Sequence, residues 1–329
     1  MNKTTSIATI FILVMAVFPF LVDSAWLSIG ITFLVFATVA FSQDIILGRA
    51  GVFNMGHAIF FGIGAYTTAI LNVQFGLEII ATIPFAIIFP VIIAIFLAGP
   101  IIHLRGDYLL VATIGFNIIF EQVLSNDLFG LTGGPNGIFG IDVVRIFGYE
   151  LWTDTSIYYI AFGLLIITLL IIRNLDNSRY GRALYYINKD EIAAKSMGIN
   201  VPYYKLFAFA LGAAIAGAAG SIFAIQYSAV SPESFSFMQS VMFFAIVLVG
   251  GSASLPGVII GTFVMFVLPE LFTEFKESRY LIFGAAMVLT MVLRPNGVWP
   301  ATFGNIPKYL KEKALKHKAL KDNSKGETE

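Results

Sequence analysis

No cysteine occurs among the 329 residues. That excludes a disulfide framework, thiolate metal sites and thiol catalysis. Histidine is scarce. His57, His103 and His317 lie far apart and show no spacing that would hold a metal. The shortage that matters most is charge. Only 12% of the residues are charged, while 58% are hydrophobic and 15% aromatic. A soluble domain carries about 25% charged residues. With 20 Lys+Arg and 20 Asp+Glu, the chain cannot clothe a water-soluble fold of this size. It is read as an integral membrane protein, which excludes soluble enzymes, nucleic-acid binders and disordered regulators. Also missing are a P-loop, a Gly-x-Ser-x-Gly elbow and a His-Glu-x-x-His motif. No metal or cofactor is implied.

What is present is long apolar sequence. Stretches near 7–22, 25–42, 52–71, 79–98, 108–124, 157–173, 205–227, 237–250, 257–269 and 280–293 approach the ~20 residues needed to cross a bilayer. Their continuity argues for helices rather than a β-barrel. The expected fold is an all-α polytopic bundle of about ten stretches. Short or broken helices are expected near 52–71 and 237–269, the latter either two short spans or a re-entrant hairpin around Gly250–Gly257. The division is a membrane domain over 1–304 and a lysine-rich tail over 305–329, with a long loop at 173–204. The first stretch has a weakly cleavable end at Val22-Asp23-Ser24 and is read as retained.

Basic residues orient the bundle. With Lys3 inside and ten crossings, 17 of the 20 Lys and Arg fall on the inner side and only Arg145, Lys276 and Arg279 on the outer. That skew satisfies the positive-inside rule and places both termini in the cytoplasm.

Ionisable residues within the spans are few. Glu121 is the clearest, with Asp44, Arg49 and Asp107 near span ends. A proton- or sodium-coupled carrier usually holds several buried ionisable groups, so an energy source on another subunit is expected. Thr113, Asn117 and Glu121 share a helical face that must point to protein or water. With Asn54 and His57 they are the candidates for a translocation path; for His57 the bland alternative is a packed, hydrogen-bonded side chain. Gly56, Gly62 and Gly64 permit either close helix packing or a break. The outer loop from Asn126 to Ser156 exceeds the usual length and is a candidate for docking or gating.

The inner loop from Arg173 to Tyr204 mixes small and apolar residues with charges. It predicts one or two short amphipathic helices, stopped at Gly198 and again by Asn200 and Pro202. Such helices are not stable alone in water. They pack on their own membrane domain or enter a partner's groove. Glu191 either caps the short helix or pairs with a basic group on a partner.

Within that loop, Glu191-x-Ala193-Ala194-x-x-x-Gly198 resembles the cytoplasmic "EAA" loop of ABC importer permeases. More specific segments resemble the branched-chain amino acid permease family. They are Gly48 to Tyr66, Arg105-Gly106-Asp107-Tyr108, Leu131 to Gly137, Leu248-Val249-Gly250-Gly251 with Leu255-Pro256-Gly257, Leu268-Pro269-Glu270, and Arg294-Pro295-Asn296-Gly297. Two of them, Arg105–Tyr108 and Thr132–Gly137, are similar to the M-type subunit. Arg49 and Met55 depart from the family pattern, Arg49 standing where an uncharged residue is more common. The resemblance implies a permease subunit paired with a second one in a bacterial or archaeal cytoplasmic membrane. It also implies two ATPase subunits gripping the inner loops at Gly181, Glu191, Ala193, Ala194 and Gly198, and an extracytoplasmic solute-binding protein. Branched-chain amino acids are the expected solute. Urea and short amides are carried by related permeases, and a self-contained channel or carrier is the rival class.

Overall fold

A computed structural model describes residues 15–271, apart from 105, 147, 148 and 152, together with 284, 285, 287, 288, 290, 292, 293 and 297–299. The greater part of the first and tenth apolar stretches, and the tail, lie outside the described residues.

The chain folds as a helix bundle. In order the elements are α1 (Ser24–Asp44), prolonged by a π-helical turn (Ile45–Arg49); α2 (His57–Val73); α3 (Ile79–Ile101); α4 (Asp107–Ser125); α5 (Asp154–Asn177); α6 (Arg179–Lys189); α7 (Glu191–Ser196); α8 (Val201–Tyr227); α9 (Phe237–Gly250); and α10 (Leu255–Thr262), which runs through a second π turn (Phe263–Val267) into α11 (Leu268–Leu271). Six runs are long and apolar enough to cross a membrane: Ser24–Arg49, Ile79–Ile101, Asp107–Ser125, Asp154–Asn177, Val201–Tyr227 and Pro232–Gly250. His57–Val73 and Leu255–Glu270 are apolar but shorter. The expected all-α membrane bundle is therefore present, with six full-length candidates among the described residues in place of about ten.

The central helix is α8, packed against α1, α2 and α3. Its most apolar window is 72% buried, as is that of α1, whereas α3 and α4 reach only 28% and 22%. In lipid no hydrophobic force drives helices together, so their association depends on close backbone approach. Glycines on α8 supply it. A Cβ on Gly220 would collide with the Phe61 carbonyl, and one on Gly64 with the backbone of Gly217. Pro90 lacks an N–H, which leaves the Ala86 carbonyl without its usual helical donor. Gly217 packs against that same oxygen. Of the two readings for Gly56, Gly62 and Gly64, close packing therefore holds at Gly64. Gly56 abuts the Thr113 carbonyl, and Gly62 abuts the rings of Phe120 and Phe235. Phe36, Phe61, Phe223, Phe235 and Phe243 fill the centre with edge-on contacts, such as Phe36 to Phe243 at 5.4 Å.

The opposite end is not wholly helical. Four short strands lie there: β1 (Ile138–Phe139), β2 (Val144–Ile146), β3 (Tyr149–Leu151) and β4 (Ala229–Val230). Ile138 pairs with Val230 and Val144 with Leu151, both antiparallel. The long loop between α4 and α5 is thus stitched to the end of α8.

Two expected irregularities take definite forms. Residues 51–56 are non-helical, and α2 begins only at His57. Hydrogen bonds pair Asn54 with Gln43 and His57 with Ser42. The chain therefore re-enters the bundle by roughly 10 Å from Arg49, at 1.5 Å per helical residue. The second irregularity is the pair α9 and α10, packed side by side. Gly250 and Gly257 approach so closely that a Cβ on either would strike the other's backbone.

Candidate functional site

At the end where α1 stops and α5 leaves the bundle, α6 and α7 form a hairpin. Ser178 starts α6 by accepting a hydrogen bond from the Gly181 N–H at 3.1 Å. Gly181 itself lies against the Leu175 carbonyl, where a Cβ would collide, so it fastens α6 to the end of α5. Asp190 starts α7: its Oδ1 accepts from Ile192 N at 2.9 Å and Ala193 N at 3.0 Å. Gly198 ends α7 with φ +81. Ile199 N donates to Ala194 O at 3.1 Å and Gly198 N to Lys195 O at 3.0 Å. This is the Schellman pattern, and the expected stop at Gly198 is present. Asn200 then caps α8 on Tyr203 N at 3.3 Å.

The hairpin has two faces. Ala183, Leu184, Ile187, Ala194 and Val201 are buried, and Ile187, Ala194 and Val201 form a small core with Ile199 and Tyr204. Tyr186, Ile192 and Met197 are exposed apolar side chains on the other face, and Ala193 is exposed beside them. Of the two expected roles of Glu191, the cap is taken by another residue. Asp190 provides the cap, and the Glu191 carboxylate accepts from Lys205 Nζ at 2.8 Å. Lys205 is 6% exposed, so this bond holds α7 to α8 and gives a nearly buried ammonium its counter-charge.

The interior candidates also converge. Asn54, His57, Thr113 and Asn117 are all buried. The Asn54 side chain accepts from Gly56 N at 3.0 Å and donates to Gln43 at 3.3 Å. Thr113 Oγ1 accepts from Met55 N at 3.1 Å. Asn117 accepts from the Ser240 hydroxyl at 2.7 Å, and that oxygen accepts from Ala58 N at 2.8 Å. These side chains hold the re-entrant segment and the start of α2, with α4 and α9 around them. The Thr113/Asn117 face points to protein, as its polarity requires. Glu121 lies one turn further along, half-buried, its Oε2 facing Phe237 N at 3.4 Å at the start of α9. The Ser42 hydroxyl donates to Val39 O at 2.7 Å, so His57 Nε2–H donates to Ser42 at 2.7 Å and buried Nδ1 has no partner. A small cleft borders this region. Its lining is apolar apart from Asn54 and Thr113 and includes Gly56, Ile59, Phe60 and Phe116.

Comparison with known proteins decides the family. Residues 26–291 match the family described as "Branched-chain amino acid transport system / permease component". The chain belongs to this family. The high-affinity branched-chain amino acid transport system permease protein LivM of Escherichia coli K12 is 35% identical over 315 residues, covering 88% of this chain and 74% of that protein. A probable branched-chain amino acid transport permease protein LivM of Methanocaldococcus jannaschii is 24% identical, covering 80% and 89%. The high-affinity branched-chain amino acid transport system permease protein LivH of Escherichia coli K12 is 23% identical, covering 80% and 90%.

In a permease component the side chains bind, pack and move rather than catalyse. Among the described residues no group of three or more His, Cys, Asp or Glu is placed to hold a metal ion. One cluster escaped the sequence reading. Arg49, noted as a charge near a span end and as a departure from the family pattern, is 5% exposed and ion-pairs with Asp44, which is fully buried. It also forks onto Asp176, with Nε to Oδ1 at 2.7 Å and Nη2 to Oδ2 at 3.1 Å. The signal was an arginine beside a glycine pair at a span end. Its partner, 127 residues away, was invisible.

Proposed function

We propose that this chain is the M-type membrane-spanning subunit of an ABC importer that carries branched-chain amino acids inward, powered by ATPase subunits that grip α6 and α7. The observation that carries the reading is the hairpin. One face is locked onto the bundle by its caps, its small core and the Glu191–Lys205 bond. The other presents Tyr186, Ile192, Ala193 and Met197 outward, an apolar helix face suited to a partner's groove. Family membership and the relatives' printed names support the solute and the second permease subunit.

The path passes by the re-entrant 51–56 segment and the start of α2. Irregular backbone at membrane depth is tolerated where protein or a cavity surrounds it. Asn54 and Thr113 border the cleft there, and Glu121 marks the route toward the outer end. The hairpin end is cytoplasmic, as the basic skew requires, and the α4–α5 loop meets an extracytoplasmic binding protein.

The test is reconstitution with the second permease, the ATPases and the binding protein in liposomes. Labelled leucine is taken up only with ATP and all subunits, and urea does not compete. Uptake of urea in place of leucine overturns the solute. Uptake without the ATPases overturns the class. A single cysteine at position 190, easily placed because the chain has none, reacts with an impermeant thiol reagent only from the cytoplasmic side.

A further inference from the structure

At the inner end the buried cation Arg49 lies where four chain segments meet. Arg49 closes the π turn of α1 and bridges Asp44 on α1 to Asp176 at the end of α5. Asp44 is shared onward: its Oδ1 accepts from Ala253 N at 2.7 Å. Ala253 is a non-glycine residue at φ +58, in the turn between α9 and α10. The neighbouring Gly48 carbonyl accepts from Asn188 Nδ2, in the last turn of α6, at 2.6 Å. Gly51 packs against Asn188 as well; a Cβ there would lie 3.1 Å from the Asn188 Cα. Val298 N and Trp299 N bond to the Val249 and Gly250 carbonyls at 2.8 and 3.0 Å, adding the 297–299 segment to the same end of α9.

The geometry points to Arg49 as the positioning residue that carries movement of the α6–α7 hairpin into the bundle. The π turn is held by Asp176, in the last turn of α5 to which Gly181 fastens α6, and by Asn188, in the last turn of α6 itself. Both contacts fall within a residue of Arg49. A guanidinium forked onto a carboxylate is directional as well as strong, so a shift of α6 must drag the π turn. Five residues further on lies Asn54, in the re-entrant segment beside the cleft. Through Asp44 the same pull reaches the α9–α10 turn. The route therefore has two branches, one to the start of α2 and one to the α9–α10 pair, and both begin at one guanidinium. Gly48 lies in the last turn before the helix ends, where carbonyls lack an intrahelical donor, so its oxygen is free to accept from Asn188.

The inference rests on the ATPase-docking reading and deepens it, so the experiment separates the two. The double variant Asp176→Asn/Asn188→Ala loosens the hairpin's hold on α1 while leaving the buried Arg49–Asp44 pair intact. Arg49→Lys is the second variant. It keeps the charge opposite Asp44, but an ammonium cannot fork onto Asp176. Each is assembled with its partner subunits in liposomes. ATPase capture, basal ATP hydrolysis and leucine uptake per ATP are measured. Both variants are expected to capture the ATPase and keep basal hydrolysis at the wild-type level, while uptake per ATP falls by about tenfold. Wild-type uptake per ATP in both variants overturns the inference. So does loss of ATPase capture, because the residues would then shape the docking face instead of carrying its motion. A wild-type chain that captures no ATPase sinks the docking reading instead, before any variant is compared.

Discussion

The two ends of this bundle are fastened by different chemistry. At the hairpin end, Arg49 joins Asp44 and Asp176, and Lys205 joins Glu191, with three of these five side chains almost completely buried. At the other end the described fastenings are mostly neutral hydrogen bonds of loops. Gln74 Nε2 donates to the Leu131 carbonyl at 2.9 Å, Asp142 N donates to Asn72 at 2.8 Å, and two-residue strands pair Ile138–Phe139 with Ala229–Val230. Asp127 adds a turn, accepting from Thr132 N and Gly133 N at 3.0 and 2.9 Å. Buried charge-assisted bonds hold a geometry tightly because losing one partner strands the other in a low dielectric. Exposed loop bonds exchange readily with water and open locally. On the proposed reading, the tightly fastened end receives the push of the ATPases and the other end parts to admit a solute.

The comparison can be broken at its strongest point first. Asp44→Ala leaves the Arg49 guanidinium buried with only Asp176 to face it. A loss of about 3–5 kcal/mol of stability is expected, read as a large fall in the thermal unfolding midpoint in detergent. An unchanged midpoint would mean that the hairpin end is not charge-fastened at all. Glu191→Ala strands Lys205 in the same way but nearer water. The expected cost is about 1–3 kcal/mol, with α7 loosened and ATPase capture weakened. Gly198→Val meets open space but a left-handed backbone. It costs on the order of 1 kcal/mol and weakens ATPase capture without reducing the amount of chain in the membrane. Gln74→Ala, at the opposite end, removes one exposed bond. Its effect on the unfolding midpoint is expected to stay within about 0.5 kcal/mol. A larger effect there than at Glu191 would reverse the contrast between the ends.

Much of this molecule is readable along the chain because the bilayer imposes strong local rules. Continuous apolar runs marked α1, α3, α4, α5 and α8 to within a few residues, since a helix in lipid must satisfy its own backbone. The Gly198 stop was legible because only glycine enters a left-handed helix end cheaply. The cap of α7 was left open between two roles for Glu191, and two acids stand side by side at 190 and 191. Asp, with its short side chain, is the better cap, and Glu191 is long enough to reach Lys205. The polar face Thr113/Asn117 was found by spacing, yet its partners Met55 and Ser240 were not, because they lie 58 and 123 residues away. Strands β1 and β4 were missed because two-residue strands carry no alternation to detect.

By itself the sequence determined the solvent of this protein, the class of its elements and the side on which its charges gather. Each of these follows from composition and from forces acting within a few residues. The tertiary structure decided which charge meets which. Arg49 and Asp176 are separated by 127 residues, and Lys205 meets Glu191 only because the Gly198 turn folds α7 back against α8. Ion pairs and close glycine contacts depend on distance in space, and over such separations the chain carries no local record of that distance.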